Sequence, residues 1–135
     1  GANFTIANPE GYGMMDAAIQ IGREIAAEKG CSINIVSDPI QAVQEADVIY
    51  TDTWTSMGQE EEVKKRQLVF PPYQVNESLV AEAKPNAIVM HCLPAHRGEE
   101  ITDEVADGPH SRLFPQAHNR LHAQKAILVK LLGKA

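Results

Sequence analysis

Two cysteines, Cys31 and Cys92, are too few to build a disulfide framework. No apolar run approaches the roughly 18 to 20 residues that a membrane span requires. Basic residues are in deficit: 12 Lys and Arg stand against 18 Asp and Glu, a net charge of −6. That balance argues against a nucleic-acid scaffold or a binder of anionic membranes. The opening Gly1-Ala2-Asn3-Phe4 has neither the basic region nor the apolar stretch of a secretory signal, so a reduced, cytoplasmic setting is expected. An initiator Met is also lacking, and a strand-like run begins almost at residue 1, which suggests a piece of a longer chain. No internal repeat or low-complexity stretch is visible.

What is present fits one α/β-sized domain. A chain of 135 residues can bury roughly two-thirds of the surface its unfolded form exposes, so neither disulfides nor a structural metal is needed. With 44% hydrophobic and 22% charged residues, neither disorder nor a coiled coil is indicated.

The patterning predicts alternating strands and helices. A β-prone run over 4–7 is closed by Pro9, Gly11 and Gly13. A helix follows over 14–29, with Met14, Ala18, Ile21 and Ile25 on one face and Gly30 as a stop. A second strand covers 32–36. Asp38 then reads as an N-cap, with Pro39 at the first helical position, for a short helix to 46. The third strand, over 47–51, reads as fully buried. Further helices are expected over 60–70 and from 76 or 77 to 84, and a fourth strand over 87–90. The last helix, over 115–132, is apolar across so wide an arc that it calls for two partners. This order predicts a parallel sheet with crossover helices on both faces, a three-layer Rossmann-like arrangement. In such sheets ligands sit beyond the carboxyl ends of the strands. That rule selects residues 52–58 and 91–98.

In the first segment, Asp52 ends a strand and is followed by Ser56 and Gly58. A carboxylate there can pair an ammonium, while a hydroxyl and loop N–H groups can bind a carboxylate. Asp52 could equally cap its own loop, with Trp54 as core. In the second segment, Cys92 beside His91, His96 and Arg97 is compatible with a lowered thiol pKa and Cys–His nucleophilic catalysis, with a metal site, or with an inert half-buried Cys and solvent-facing His and Arg. As zinc ligands, His91, Cys92 and His96 have no convincing spacing. His118 and His122, four apart on one helix face, read most simply as a surface pair.

Thr51-Asp52-Thr53-Trp54 with Ser56-Met57-Gly58 behind it, and His91-Cys92-Leu93-Pro94, together resemble the signature pair of the ornithine carbamoyltransferases. The likeness extends to Phe4-Thr5-Ile6-Ala7, to Pro9-Glu10-Gly11-Tyr12 and to Leu113-Phe114-Pro115-Gln116-Ala117 with Asn119-Arg120, so it covers essentially the whole chain. The resemblance implies a domain that binds ornithine in an enzyme that moves a carbamoyl group from carbamoyl phosphate to the ornithine δ-amine. It implies that Asp52 pairs the α-ammonium, that Ser56 and Met57 lie on the α-carboxylate side, and that Gly58 hinges a mobile loop. Cys92 would sit between ornithine and the carbamoyl group without forming a covalent intermediate. Leu93 would hold the carbamoyl amide through its carbonyl, and Arg120 would reach carbamoyl phosphate. Neither metal nor cofactor is implied, and the full-length assembly would be a homotrimer.

The chain departs from the family pattern in what it lacks. The Ser-Thr-Arg-Thr run of the family's carbamoyl-phosphate domain is absent from the sequence, as are the opening strand and helix of the second domain. Residues 1–135 therefore read as that second domain, incomplete at its start, inactive alone, with the last helix's apolar arc left uncovered. The competing readings are a truncated module that binds or regulates without catalysis, and a relative using another amine such as putrescine. Putrescine has no α-carboxylate to occupy a Ser-Met-Gly loop.

Overall fold

The computed structural model describes residues 1–55 and 62–133. Among these residues, four short strands and six helices follow one another along the chain. They are β1 (Phe4–Ala7), α1 (Asp16–Lys29), β2 (Ile33–Val36), α2 (Pro39–Val43), β3 (Val48–Thr51), α3 (Val63–Val69), α4 (Glu77–Ala81), β4 (Ile88–His91), α5 (Asp103–Ala106) and α6 (Leu113–Leu132). A 3-10 turn, Pro71–Tyr73, follows α3. The chain has an α/β, Rossmann-like fold. Among the described residues no helix is long and apolar enough to cross a membrane.

Helix starts follow the capping residues. Asp38 Oδ1 accepts from the Ile40 amide at 2.9 Å with Pro39 behind it, as expected for α2. Asn76 Oδ1 accepts from the Leu79 amide at 3.0 Å and starts α4. The Thr102 side chain caps α5, a four-residue helix that the periodicity does not predict because it is shorter than two turns. Gly30, in the left-handed region at φ 67°, ends α1.

The strands do not form one continuous sheet. β1 pairs with β2 in parallel, with Phe4 opposite Ile33, and β3 pairs with β4 in parallel, with Val48 opposite Ile88. The two pairs are not joined by a ladder among the described residues. The outer edge of β4 is covered by residues 110–112: the Val89 amide donates to the His110 carbonyl and the Arg112 amide to the Val89 carbonyl. Between β1 and β3 lies a cleft of about 640 Å³, walled by Thr5 and Ala7 on one side and Val48 and Tyr50 on the other, with Ala42 of α2 below.

The core is built on one face of β3 and β4. Ile49 and Val89 pack with Val43, Leu79, Val80, Ile101, Val105 and Leu113, joining α2, α4, α5 and the start of α6. β3 is therefore not fully buried: Ile49 is, while Val48 and Tyr50 on the opposite face are 48% and 53% exposed. α6 covers that second face only at its beginning, where Gln116 Nε2 donates to the Tyr50 hydroxyl at 3.0 Å. Beyond, Leu121, Ile127, Leu128, Val129, Leu131 and Leu132 are exposed, so the wide apolar arc has no partner among the described residues. α1 also differs from its periodicity. Its Ile21 and Ile25 are exposed, and the helix approaches β2 through Gly22, where a Cβ would strike the Ile33 side chain, and through buried Ala26.

Candidate functional site

The parallel register of β3 and β4 makes the site. Thr51 lies opposite His91, so the residues that follow, Asp52 and Cys92, leave the two strands side by side. Cys92 Sγ donates to Asp52 Oδ1 at 3.1 Å, and the same oxygen accepts from the Thr53 amide at 2.7 Å. Asp52 thus caps its own loop and also faces Cys92. Its carboxylate is exposed and able to meet a cationic group. Trp54, two residues on, is buried.

Behind Cys92 the turn is fixed by a buried pair that the sequence does not announce. β4 runs one residue further than its apolar pattern, so His91 ends the strand and is fully buried, as is Glu100. The Leu93 amide donates to His91 Nδ1 at 2.8 Å, which places the ring proton on Nε2. Nε2 donates to Glu100 Oε1 at 3.1 Å, and that oxygen also accepts from the His96 amide at 2.6 Å. The His91 amide donates to Gln116 Oε1 at 3.0 Å. These bonds hold Leu93 at φ 56°, a left-handed conformation that costs a non-glycine residue about 1 kcal/mol. The Leu93–Pro94 peptide is cis. Nothing local in the sequence marks Glu100, because its partner lies nine residues away on a strand end.

This geometry corrects two expectations for the second segment. His91 is not solvent-facing; both ring nitrogens are engaged away from Cys92. The thiol is not activated either: burial pushes the Cys92 thiol up, and the Asp52 carboxylate to which it donates raises it further, outweighing the Tyr50 hydroxyl, which acts the other way. A thiol held in its protonated form is a hydrogen-bond donor and a poor nucleophile. Arg97 lends Cys92 no positive field, since it binds Asp103 at 2.8 Å and Asp107 at 2.6 Å and 2.8 Å.

The other candidates are placed less closely. Leu93 belongs to the turn just described. Arg120 is exposed on α6, one helical turn beyond Gln116 on the same face, and has no ion-pair or hydrogen-bond partner among the described residues. Ser56, Met57 and Gly58 lie outside the described residues. His118 and His122 stack edge to face at 5.0 Å on the exposed side of α6. Two groups bring possible metal-ligand atoms within 4.8 Å of one another, Asp52 with His91 and Cys92, and His96 with Glu99 and Glu100. In the first, both His91 nitrogens and the Cys92 proton are committed, so the arrangement suits hydrogen bonding and not metal ligation. The cleft between the strand pairs reaches Asp52 and Trp54 at one end, but Cys92 does not line it.

Comparison with known proteins identifies what the chain as a whole is similar to. Residues 1–131 match the family described as aspartate/ornithine carbamoyltransferase, Asp/Orn binding domain. The ornithine carbamoyltransferase of Thermococcus kodakarensis is 56% identical over 133 residues, which cover 98% of this chain and 42% of that protein. The anabolic ornithine carbamoyltransferase of Pyrococcus furiosus is 53% identical, again with 98% and 42% covered. The solved ornithine carbamoyltransferase from Pyrococcus furiosus superimposes with a TM-score of 0.90 at 54% identity, over 96% of this chain and 41% of that one. The chain thus spans less than half the length of the relatives it matches. With the Asp52–Cys92 pair and the His-Cys-Leu-Pro turn in place, it belongs to the aspartate/ornithine carbamoyltransferase family.

Proposed function

We propose that this chain is the ornithine-binding domain of an ornithine carbamoyltransferase, an enzyme of arginine synthesis that converts carbamoyl phosphate and ornithine to citrulline and phosphate. The observation that carries the reading is the Asp52 carboxylate beside the protonated Cys92 thiol at the carboxyl ends of two paired strands.

In this reading Asp52 pairs the α-ammonium of ornithine, and Ser56 and Met57 face its α-carboxylate. The neutral δ-amine attacks the carbonyl carbon of carbamoyl phosphate. A C–N bond forms, the C–O bond to phosphate breaks, and the amine proton leaves with the phosphate or to solvent. Cys92 donates a hydrogen bond between the two substrates and makes no covalent bond, in keeping with its raised pKa. The Leu93 carbonyl holds the carbamoyl amide. Arg120 stabilises the negative charge that develops on the carbamoyl phosphate oxygens, a role suited to a fixed cation. Alignment of the two substrates supplies much of the acceleration.

The partner domain, with its Ser-Thr-Arg-Thr phosphate site, comes from a preceding segment, as does a strand that fills the cleft between β1 and β3. The apolar arc of α6 packs against that partner domain. The assembled protein is a homotrimer in the cytoplasm, and the 135-residue chain alone has no transferase activity.

Calorimetry on the full-length protein tests the assignment. Asp52→Asn should weaken ornithine by about 2 kcal/mol, roughly thirtyfold, and leave carbamoyl phosphate affinity unchanged. Equal loss for both ligands would reject the role given to Asp52. Citrulline formation by the isolated chain, abolished by Asp52→Ala, would reject the need for a second domain.

A further inference from the structure

Asp52 and Cys92 leave strands that are paired with each other, but the chain beyond Asp52 has no strand to follow. Residues 52–55 must be held by something else if the carboxylate is to stay beside the thiol. The contact is made by one side chain. Arg66, on α3, donates from Nη1 to the Trp54 carbonyl at 2.6 Å. Its Nε and Nη2 both reach Glu62 Oε2, at 3.0 Å and 2.9 Å. The guanidinium carbon, Cζ, lies 5.1 Å from the centre of the Tyr12 ring and 5.9 Å from that of Phe70. Tyr12 and Phe70 meet edge to face at 5.0 Å, and Phe70 also touches Trp54 at 5.9 Å. The Arg66 side chain is only 17% exposed.

We propose that Arg66 is a positioning residue that clamps the Trp54 carbonyl and so holds the Asp52 carboxylate against Cys92. The span from Thr51 to Trp54 is pinned at one end by the β3–β4 ladder and at the other by the guanidinium. Asp52 lies between the two pins. The same guanidinium ties in the turn after β1 through Tyr12 and so links the two strand pairs above the cleft that separates them. A charge-assisted hydrogen bond to a carbonyl is stronger than a neutral one. Only a planar fork can make that bond and meet Glu62 together while lying within cation–π distance of two rings, so lysine is not an adequate substitute. Its consequence for ornithine rests on the reading of Asp52 proposed above.

The test needs no substrate. In the full 135-residue chain carrying Cys31→Ser, Cys92 is the sole thiol and Trp54 the sole tryptophan. The rate of iodoacetamide alkylation is followed against pH in that parent and in its Asp52→Asn, Arg66→Lys and Arg66→Met derivatives. Removing the Asp52 charge should move the alkylation profile to lower pH. Both Arg66 variants should move it in the same direction, and acrylamide should quench Trp54 more readily, with the circular dichroism spectrum unchanged. Profiles that superimpose on the parent in folded Arg66→Lys protein would overturn the proposal, and if Arg66→Met fails to fold, Arg66→Lys decides alone. A second arm titrates L-ornithine by calorimetry into the full-length protein and its Arg66→Lys variant. Binding by the full-length parent that weakens about tenfold in Arg66→Lys carries the clamp through to the ligand. Unchanged ornithine affinity despite a shifted thiol profile would confine the clamp to Cys92. A full-length parent that binds no ornithine at all would count against the functional reading, while the thiol profile still decides the clamp.

Discussion

Glu100 accepts two hydrogen bonds through one oxygen, while its other oxygen, Oε2, is buried, lies 3.8 Å from His96 Nδ1 and has no hydrogen-bond partner among the described residues. The asymmetry separates two substitutions. Glutamine can keep a carbonyl oxygen in the Oε1 place, facing His91 Nε2 and the His96 amide, and turn its amide group toward the vacant side. Leucine removes both acceptors and strands a buried imidazole N–H and a backbone N–H. Glu100→Gln should therefore cost under about 1 kcal/mol and Glu100→Leu about 3 kcal/mol in urea denaturation. Equal losses would mean that shape, and not the two accepted bonds, accounts for the need for Glu100. The thiol of Cys92 shows a related lesson at the same scale. Neighbouring His and Arg in the sequence suggest activation, but both are turned to carboxylates elsewhere, and the group the thiol actually meets is Asp52.

Single elements were legible where local chemistry decides them. The strand over 4–7, the cap-and-proline start at Asp38 and the start of a helix at 76 or 77 are all encoded within a few residues. Asn76→Ala should accordingly cost about 1 kcal/mol, read from the midpoint of chemical denaturation at unchanged slope. A loss below the scatter of the measurement would show that packing of Leu79 and Val80 holds α4 unaided. What periodicity could not supply is the identity of the covering partner. It marks Ile21 and Ile25 as a face of α1, and the wide arc of α6, but an apolar face looks the same in sequence whether or not anything lies against it. β3 departs from a fully buried strand for this reason, since Val48 and Tyr50 fit a core strand by pattern and are left half open. Asp52 and Cys92 were legible because strand ends are where ligands bind in parallel sheets. Glu100 and Arg66 were not, because each bonds to a group well removed in sequence, the His91 ring for Glu100 and the Trp54 carbonyl for Arg66.

For the molecule as a whole, the core cluster begins at Val43 and ends at Leu113. β1, α1 and β2 contribute nothing to it, although together they span residues 4–36. Two parallel pairs thus share a fold without sharing a ladder or a core, and a cleft of about 640 Å³ separates them. Amide hydrogen exchange should divide along that line. The amides of Ile49 and Val89 should exchange only through global unfolding, while those of β1 and β2 open through a cheaper, partial route and exchange at least about tenfold faster. Uniform rates across all four strands, measured by deuterium uptake, would mean that the halves unfold as one. The cleft then becomes an exchange reporter: a strand seated in it would bond to both edges and draw the fast rates of the first pair toward the slow rates of the second.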